Sequence, residues 1–484
     1  MIKLENDARV LKVDVLRRVA KLAFDHELTE EAVERIPLEM VPTSQAHFRC
    51  CVYKEREILR GRTRLAMGKK PITRAESTNV IHVISSACEG CPINRYRVTE
   101  NCQKCLAKKC MNACPFGAIS MTGRGAYIDP DKCKECGRCA QACPYNAIAD
   151  LIRPCRRACP VNAISLNDDK IAVIEDDKCI SCGACMRDCP FGAISDVSSL
   201  VDVIDALEKG PVYAIIAPAL EGQFGMTATM GHIKAALVKL GFAEALEVGL
   251  GADAVAQHES EELMEALQAG RKMTTSCCPA FVNMIKKHFP QLLPNMSHTV
   301  SPMVALSRLI RADAPRAKVV FIGPCVAKKT ETDQEGGPDY IMTSEELLAM
   351  FQAQGIDPEK CEPLEQDSSI YGKNFAISGG VTGAVMQAIS EVEDELPSVV
   401  CHRCDGASEC KKALAMLTSG KFNANFIEGM ACEGGCSSGP TLLVSARQYK
   451  QARTKLLAKA DSRGIHENVE RVGFNQKVDM NRSR

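Results

Sequence analysis

The chain has 484 residues, 60 basic side chains against 60 acidic ones, 27 cysteines and no tryptophan. That length accommodates two to four domains with a sizeable core, and the balanced charge carries no polyanion-binding signal, so no nucleic-acid partner is expected. The start, Met1-Ile2-Lys3-Leu4-Glu5-Asn6-Asp7, is charged where an apolar signal core would lie, no run approaches the roughly 20 apolar residues of a membrane span, and the cysteine count is odd. Together these features predict a cytoplasmic chain without a membrane partner, whose thiols are kept reduced and committed to metal.

In chain order, residues 1–84 read as a helical segment. Apolar residues recur at helical spacing through Val10, Leu11, Val13, Val15, Leu16 and Val19, and a second, charged helix is predicted over Cys51–Met67. Residues 85–197 are cysteine-dense, with short segments and frequent Cys-Pro pairs. Residues 198–445 alternate apolar runs with amphipathic helices, the pattern of an α/β domain. Strands are expected at Val212–Ala217, Lys318–Ile322 and Phe375–Ser378. Residues 446–484 predict one helix, Gln448–Ala460, and a mobile polar tail.

The cysteine-dense region repeats a unit: a cysteine run, then Cys-Pro, then Ala-Ile. It occurs at Cys114-Pro115, Cys143-Pro144, Cys159-Pro160 and Cys189-Pro190, followed by Ala118-Ile119, Ala147-Ile148, Ala163-Ile164 and Ala193-Ile194. Four units mean two ferredoxin-like modules in tandem. In such modules three cysteines of one run bind a 4Fe–4S cluster and the cysteine before the proline crosses to the other cluster. The expected sets are Cys133, Cys136 and Cys139 with Cys114, then Cys102, Cys105 and Cys110 with Cys143, and Cys179, Cys182 and Cys185 with Cys159. The last run keeps only Cys155, and upstream Cys88 and Cys91 are expected to join it with Cys189. This arrangement uses all sixteen cysteines between 88 and 189. Zinc is the competing metal for each Cys-x-x-Cys pair, and structural thiols the competing reading of Cys88 and Cys91. Runs of three cysteines followed by Cys-Pro favour iron–sulfur clusters.

Farther on, short islands place cysteines on separate loops: Thr275-Ser276-Cys277-Cys278-Pro279, Gly323-Pro324-Cys325-Val326-Ala327-Lys328, and Glu428-Gly429-Met430-Ala431-Cys432 running on to Glu433-Gly434-Gly435-Cys436. Cys278, Cys325, Cys432 and Cys436 supply the four thiolates that a 4Fe–4S cluster needs, and Cys277 is spare. In order and spacing this set resembles the catalytic signature of the FeFe hydrogenases. The resemblance covers about residues 85–445 and is closest to a group B-like branch whose first signature reads Thr-Ser-Cys-Cys-Pro followed by a small residue, here Ala280.

The resemblance implies an α/β fold of two catalytic lobes preceded by the tandem modules and the helical segment. It implies that the four thiolates hold the cubane of an H-cluster. Cys436 would bridge to a diiron subcluster carrying carbon monoxide, cyanide and an azadithiolate, installed by maturases. Cys277 would take a proton from the bridging amine, and Glu259, Ser297 and Glu262 would pass it on. Lys328 would bind an iron-bound cyanide, Pro218 and Ala219 would line the diiron pocket by their backbone, Met430 would pack against the cofactor, and Gly379, Gly380 and Gly383 would permit close backbone approach. Considered alone, Glu259 and Glu262 also fit a solvated helix face, and Lys328 an exposed surface lysine, a description that suits Lys329 better.

Departures from the family pattern are Ala280-Phe281 for Gly-Trp, Gly323 and Gly379 for bulkier residues, Met303 for glutamine, and Glu433 for proline. The surface arginine at the outer end of the proton path falls on Ala266. Cys361, Cys401, Cys404 and Cys410 read as packed thiols, with a metal site as the alternative, and Cys50 and Cys51 as structural. No Gly-x-Gly-x-x-Gly opens a helix after a strand, so electrons are expected from ferredoxin rather than from a bound nicotinamide or flavin. The expected function is reversible reduction of protons to dihydrogen through the H-cluster and four accessory 4Fe–4S clusters. The alternatives are a hydrogen-sensing hydrogenase and a non-catalytic hydrogenase-like iron–sulfur protein acting in electron transfer or as a scaffold.

Overall fold

A computed structural model of the chain describes all residues except 1, 3, 5, 43, 72–76, 92–93, 333–335, 394–397, 458–462 and 483–484. The N-terminal periodicity forms helix Asp7–Phe24, started by Asn6, whose side-chain oxygen accepts from the Arg9 N–H at 3.0 Å. Its buried stripe of Val13, Leu16 and Val19 joins a core with Leu347, Ala349 and Phe351 from helix Ser344–Ala353 of the catalytic half. Helix Val52–Ala66 packs against it. A buried charge cluster fixes this junction. Asp196 accepts from Lys12 at 2.7 Å and Lys329 at 2.7 Å, Glu345 pairs with Lys12 at 2.8 Å, and Glu346 with Lys329 at 3.3 Å. Burial alone would raise the Asp196 carboxyl; the two ammonium groups overcome it and hold that carboxyl well below the usual range.

The two ferredoxin-like modules are nested. Strand Ile81–Val83 pairs antiparallel with Ile194–Asp196, and Ile164–Leu166 with Ala172–Ile174. Between them in sequence lies a complete module in which Tyr96–Val98 pairs with Ile148–Asp150 and Ile119–Thr122 with Gly125–Ile128. The first module, 96–150, is thus inserted between Cys91 and Cys155 of the second. That insertion explains why the fourth cysteine run looked depleted. The repeat also acquires a local reason. The third residue after each Cys-Pro cysteine, at Gly117, Asn146, Asn162 and Gly192, has a left-handed backbone with φ of 59, 48, 53 and 55°, a conformation glycine and asparagine tolerate best. The turn brings the next N–H back onto the cysteine sulfur: Ala147 to Cys143 at 3.4 Å, Ala163 to Cys159 at 3.1 Å and Ala193 to Cys189 at 3.3 Å.

Residues 198–445 contain two parallel sheets. In one the strand order is Glu244–Glu247, Val212–Ile216, Lys318–Gly323, Tyr340–Thr343; in the other it is Met273–Thr274, Phe426–Met430, Cys401–Asp405. Strand Phe426–Met430 is fully buried, and Val212–Ile216 and Lys318–Gly323 are buried except at Tyr213 and Lys318, which accounts for their apolar runs. The strand expected at Phe375–Ser378 does not form. These residues turn between helices Ile370–Asn374 and Gly380–Ser390, with Gly379 at φ 85°. Their apolar character serves cavity lining by Phe375 and Ala376 instead of sheet pairing.

The predicted C-terminal helix is present as Ala446–Leu457; residues 458–460 of that expectation lie outside the described residues. The tail beyond it is docked, not loose. Helices Ile465–Arg471 and Phe474–Lys477 bury Ile465, Val469 and Phe474, and Asn468 donates to Asp253 at 2.7 Å. Among the described residues no helix is long and apolar enough to cross a membrane.

Candidate metal centre

The cysteine islands follow the carboxyl ends of parallel strands, where α/β folds place their sites. Residues 275–278 follow Met273–Thr274, Pro324 and Cys325 follow Lys318–Gly323, and Ala431 and Cys432 follow Phe426–Met430. Cys278 caps helix Pro279–His288, and Cys436 lies in the short turn Gly435–Ser438. All four face one cavity of about 870 Å³, together with Cys277, Lys328, Pro218, Ala219 and Met430. Burial pushes the Cys325 thiol up to about 11 and Cys436 up to about 12, with Cys278 adding to both; Cys432 is driven well above its ordinary value by burial and by Cys325, Cys278 and Cys436. Four desolvated thiols crowd an apolar space whose lining includes one cation, Lys328. As thiolates they need a shared positive centre, so the donor set fits an iron–sulfur group. Among the described residues no three Cys, His, Asp or Glu side chains surround a single-ion position.

Several of the accessory cysteines lie near partners expected for them. Cys114, Cys133, Cys136 and Cys139 line one pocket of about 300 Å³ with Tyr96. Burial raises Cys110, helped by Cys143 and Cys105, while the Ala126 N–H, at 3.5 Å, lowers Cys102. Cys182 is pushed to about 12 by burial, with Cys179 and Cys159 adjacent, and burial likewise drives Cys185 well above its ordinary value, helped by Cys182, Cys179 and Cys159. Cys155 is raised to about 11 by burial and by Cys189, Cys88 and Cys91. That fourth group, inferred by counting, is therefore a spatial cluster. Buried Arg153 donates to the Cys88 sulfur at 3.7 Å. Cys182 also lines the large cavity, so the second module abuts Cys278, Cys325, Cys432 and Cys436 directly.

Lys328 is buried, donating to the Cys277 carbonyl at 3.3 Å and to Glu331 at 2.5 Å. Lys329 is not the exposed lysine it resembled: the Asp196–Glu346 pair buries it because the modules close over that face. Gly380 does not line the cavity. Its Cα packs on the Asn374 carbonyl, which an added Cβ would meet at 1.9 Å, while Gly383 faces open space and makes no close approach. Cys404 and Cys410 are packed thiols in one core, while Cys361 packs against another and Cys401 against a third, so the four form no common site. Cys50 and Cys51 are exposed; Cys51 caps helix Val52–Ala66 instead of lying within it.

On helix Val248–Gln268, Glu259 is fully buried and not on a solvated face. Burial lifts its carboxyl to about 8, helped by Glu262. One oxygen takes the Ser276 N–H at 3.4 Å and the Ser297 hydroxyl adjoins the carboxyl, a setting that suits a neutral acid with a proton to give. Glu262 accepts from the Ser297 hydroxyl at 2.8 Å and the His298 N–H at 2.9 Å. Ala266 is buried among apolar side chains. Two supports had no sequence signal beyond residue type. Arg453, buried on the C-terminal helix, donates to the Pro218 carbonyl at 2.9 Å. Glu428 accepts from the N–H groups of Gly379 and Thr382 at 2.8 and 2.9 Å, anchoring helix Gly380–Ser390. Gly429 is required because the Phe281 ring lies 2.4 Å from where a Cβ would stand.

Residues 210–440 match the family of the iron only hydrogenase large subunit, C-terminal domain; 101–147 match a 4Fe-4S dicluster domain and 149–200 the LdpA Fe-S cluster-binding domain. The chain is 27% identical over 376 residues to Iron hydrogenase 1 of Clostridium pasteurianum, covering 66% of this chain and 65% of that one, so it spans just under two thirds of that relative's length. A shorter match, 29% over 117 residues, covers 22% of this chain and 23% of the cytosolic Fe-S cluster assembly factor NAR1 of Saccharomyces cerevisiae. A solved [FeFe]-hydrogenase, studied for oxygen inactivation at its H cluster 2Fe subcluster, shares the fold with a TM-score of 0.50 at 20% identity, over 58% of this chain and 94% of that one. The periplasmic [Fe] hydrogenase large subunit of Nitratidesulfovibrio vulgaris is 30% identical over 300 residues, 49% of this chain and 70% of that protein. With that extent of identity, the matched C-terminal domain and the shared fold, the chain belongs to the iron-only, or FeFe, hydrogenase family.

Proposed function

We propose that the chain is an FeFe hydrogenase that reversibly reduces protons to dihydrogen with electrons from ferredoxin. The observation that carries this reading is the single cavity in which Cys278, Cys325, Cys432 and Cys436 meet Cys277 and Lys328. Cluster binding alone needs neither of the last two. The four cysteines would hold the cubane and Cys436 the bridge to the diiron subcluster. When bound, that group supplies the open metal site at which dihydrogen is made or split. The chain's own residues manage charge and protons around it. Lys328 directs an ammonium into an apolar pocket, where it favours an anionic ligand. Cys277 is kept a neutral thiol by burial, so it holds a proton at Sγ. Glu259, neutral below about pH 8, would receive and return that proton, with Ser297 linking it to Glu262. Electrons would enter through the first module, whose Cys136 is exposed, and pass to the Cys182 group beside the cubane. The Thr275-Ser276-Cys277-Cys278-Pro279-Ala280 signature supports a group B-like branch. Maturases would install the diiron group.

Infrared spectra of anaerobically matured protein, under argon and then dihydrogen, test the reading. Carbonyl and cyanide bands that shift with the gas are expected. Their absence, with cubane iron present and maturation verified on a control hydrogenase, would favour the second reading, a non-catalytic iron–sulfur protein, which the similarity to the NAR1 assembly factor supports. Cys277→Ala is expected to keep the bands and lose most turnover; full activity would remove Cys277 from the proton path.

A further inference from the structure

The proton path inferred above needs an outer end, and Ala266, buried among apolar side chains, cannot supply one. The hydrogen bonds of Glu262 continue elsewhere. Its Oε2 accepts from Thr299 Oγ1 at 3.2 Å, and Thr299 Oγ1 lies 2.8 Å from His258 Nδ1. His258 and Glu262 are four residues apart on helix Val248–Gln268, so they share a face. His258 is only partly covered, whereas Thr299 is fully buried.

We infer that Thr299 and His258 form the outer end of the proton path, carrying protons between Glu262 and solvent. This rests on the hydrogenase reading and on its Glu259–Ser297–Glu262 segment. A hydroxyl has one proton and two lone pairs, so Thr299 can donate to one neighbour while accepting from the other. Outward, protonated Glu262 gives its proton to Thr299 Oγ1 while the Thr299 proton passes to His258 Nδ1. The imidazolium then releases its Nε2 proton to water, and tautomer exchange through solvent restores Nδ1 as acceptor. One proton enters, one leaves, and no group ends altered; the inward direction reverses each step.

The surroundings keep the wire in place. Thr299 N–H donates to Ser297 Oγ at 3.1 Å, its carbonyl accepts from Ser276 Oγ at 2.6 Å, and it bridges to Asn481 of the C-terminal tail. That tail also brings Arg482 to the Ser276 carbonyl at 3.0 Å. The charged groups near the exit are Glu262, Asp479 and Arg308. Asp479 is held below the ordinary carboxylate range by the Asn481 N–H and side chain, with Arg308 and His258 contributing. The outlet thus opens where the tail crosses the helix.

The test compares His258→Ala, His258→Gln and Thr299→Val in the full, matured chain, with thermal midpoints confirming folding. Turnover is expected to fall about tenfold or more in all three, with the KM for a viologen electron carrier unchanged. Added imidazole should restore His258→Ala and leave Thr299→Val impaired. An independent readout uses protein lacking the diiron subcluster. The carboxylic-acid infrared band that disappears in Glu259→Gln should exchange with deuterium more slowly in His258→Ala and Thr299→Val. Unchanged turnover and unchanged exchange would overturn the inference and show that Glu262 releases protons directly to water. Impaired Glu262→Gln beside unimpaired His258→Ala would sink this exit alone. Unimpaired Glu262→Gln and Cys277→Ala would sink the path on which it rests.

Discussion

The two ferredoxin-like modules share a sequence pattern and differ in their surroundings. The first, 96–150, hangs at the periphery: Cys136 is exposed, and Leu106, Phe116, Tyr127 and Tyr145 present apolar surface to solvent. The second is enclosed by the N-terminal helices and the catalytic lobes, with Cys88, Cys155, Cys179 and Cys185 buried. One repeat therefore occupies two environments. Exposed cysteines suit electron exchange with a separate protein, and buried ones suit delivery to the cubane without leakage. The Cys-Pro-Phe-Gly tetrapeptide shows this locally. Gly117 has nothing within 4 Å of a hypothetical Cβ, while Gly192, at nearly the same φ, meets Arg62 at 2.6 Å and Ala8 at 3.1 Å.

The contrast can be broken first at its charges. Asp196→Ala removes the carboxylate shared by Lys12 and Lys329, leaving them only Glu345 and Glu346, and is expected to cost about 1.5–3 kcal/mol. Asp150→Ala in the first module removes a solvent-screened pair with Arg95 and should cost within about 1 kcal/mol. Chemical denaturation reads both; equal losses would mean that the second module is not locked by its charge cluster. Metal content gives a second measure. Cys155→Ala should remove one cubane, about four irons per chain, and lower the thermal midpoint. Cys136→Ala should perturb a cubane with little change in midpoint. An unchanged iron count in Cys155→Ala would refute the fourth ligand set.

Glu259, in the C-terminal half, adds a pH-dependent term to stability. Glu259 has an ordinary value of 4.5 and is raised to about 8 in the fold. Between those values the folded chain keeps a proton that the unfolded chain has released. Stability from this group is therefore full below about pH 4.5 and declines as pH rises to 8, by at most about 1.4 kcal/mol per pH unit. Glu259→Gln should flatten that slope in denaturation curves taken between pH 6 and 8; an unchanged slope would mean that Glu259 is ionised in the fold. The smallest contrast is at glycine. Gly117→Ala should cost about 1 kcal/mol for its left-handed backbone, and Gly192→Ala about 1–3 kcal/mol more for overpacking against Arg62 and Ala8. Thermal midpoints that agree would show the N-terminal helices yielding freely.

Covalent order was enough to identify the thiols. Cys-Pro repeats and the three cysteine islands are local patterns tied to one chemistry, so candidate ligand groups could be listed from spacing; the structure places Cys278, Cys325, Cys432 and Cys436 on one cavity and Cys114, Cys133, Cys136 and Cys139 on another. The long apolar runs at Val212–Ile216 and Lys318–Gly323 were legible for the same reason: strands covered on both faces need no alternation. Phe375–Ser378 carries a similar run and turns instead, because its side chains are claimed by the cavity.

What only the tertiary structure decided depends on contacts distant in sequence. Nesting of the modules requires Ile81–Val83 to find Ile194–Asp196 across more than one hundred residues. Lys329, Glu259 and the docked tail change from apparent surface to interior because other elements cover them. The pairing of His258 with Thr299 joins a helix to a loop 41 residues away. Residue type and spacing fix which groups can bind metal or carry a proton; burial and long-range packing fix which of them meet, and hence which are charged.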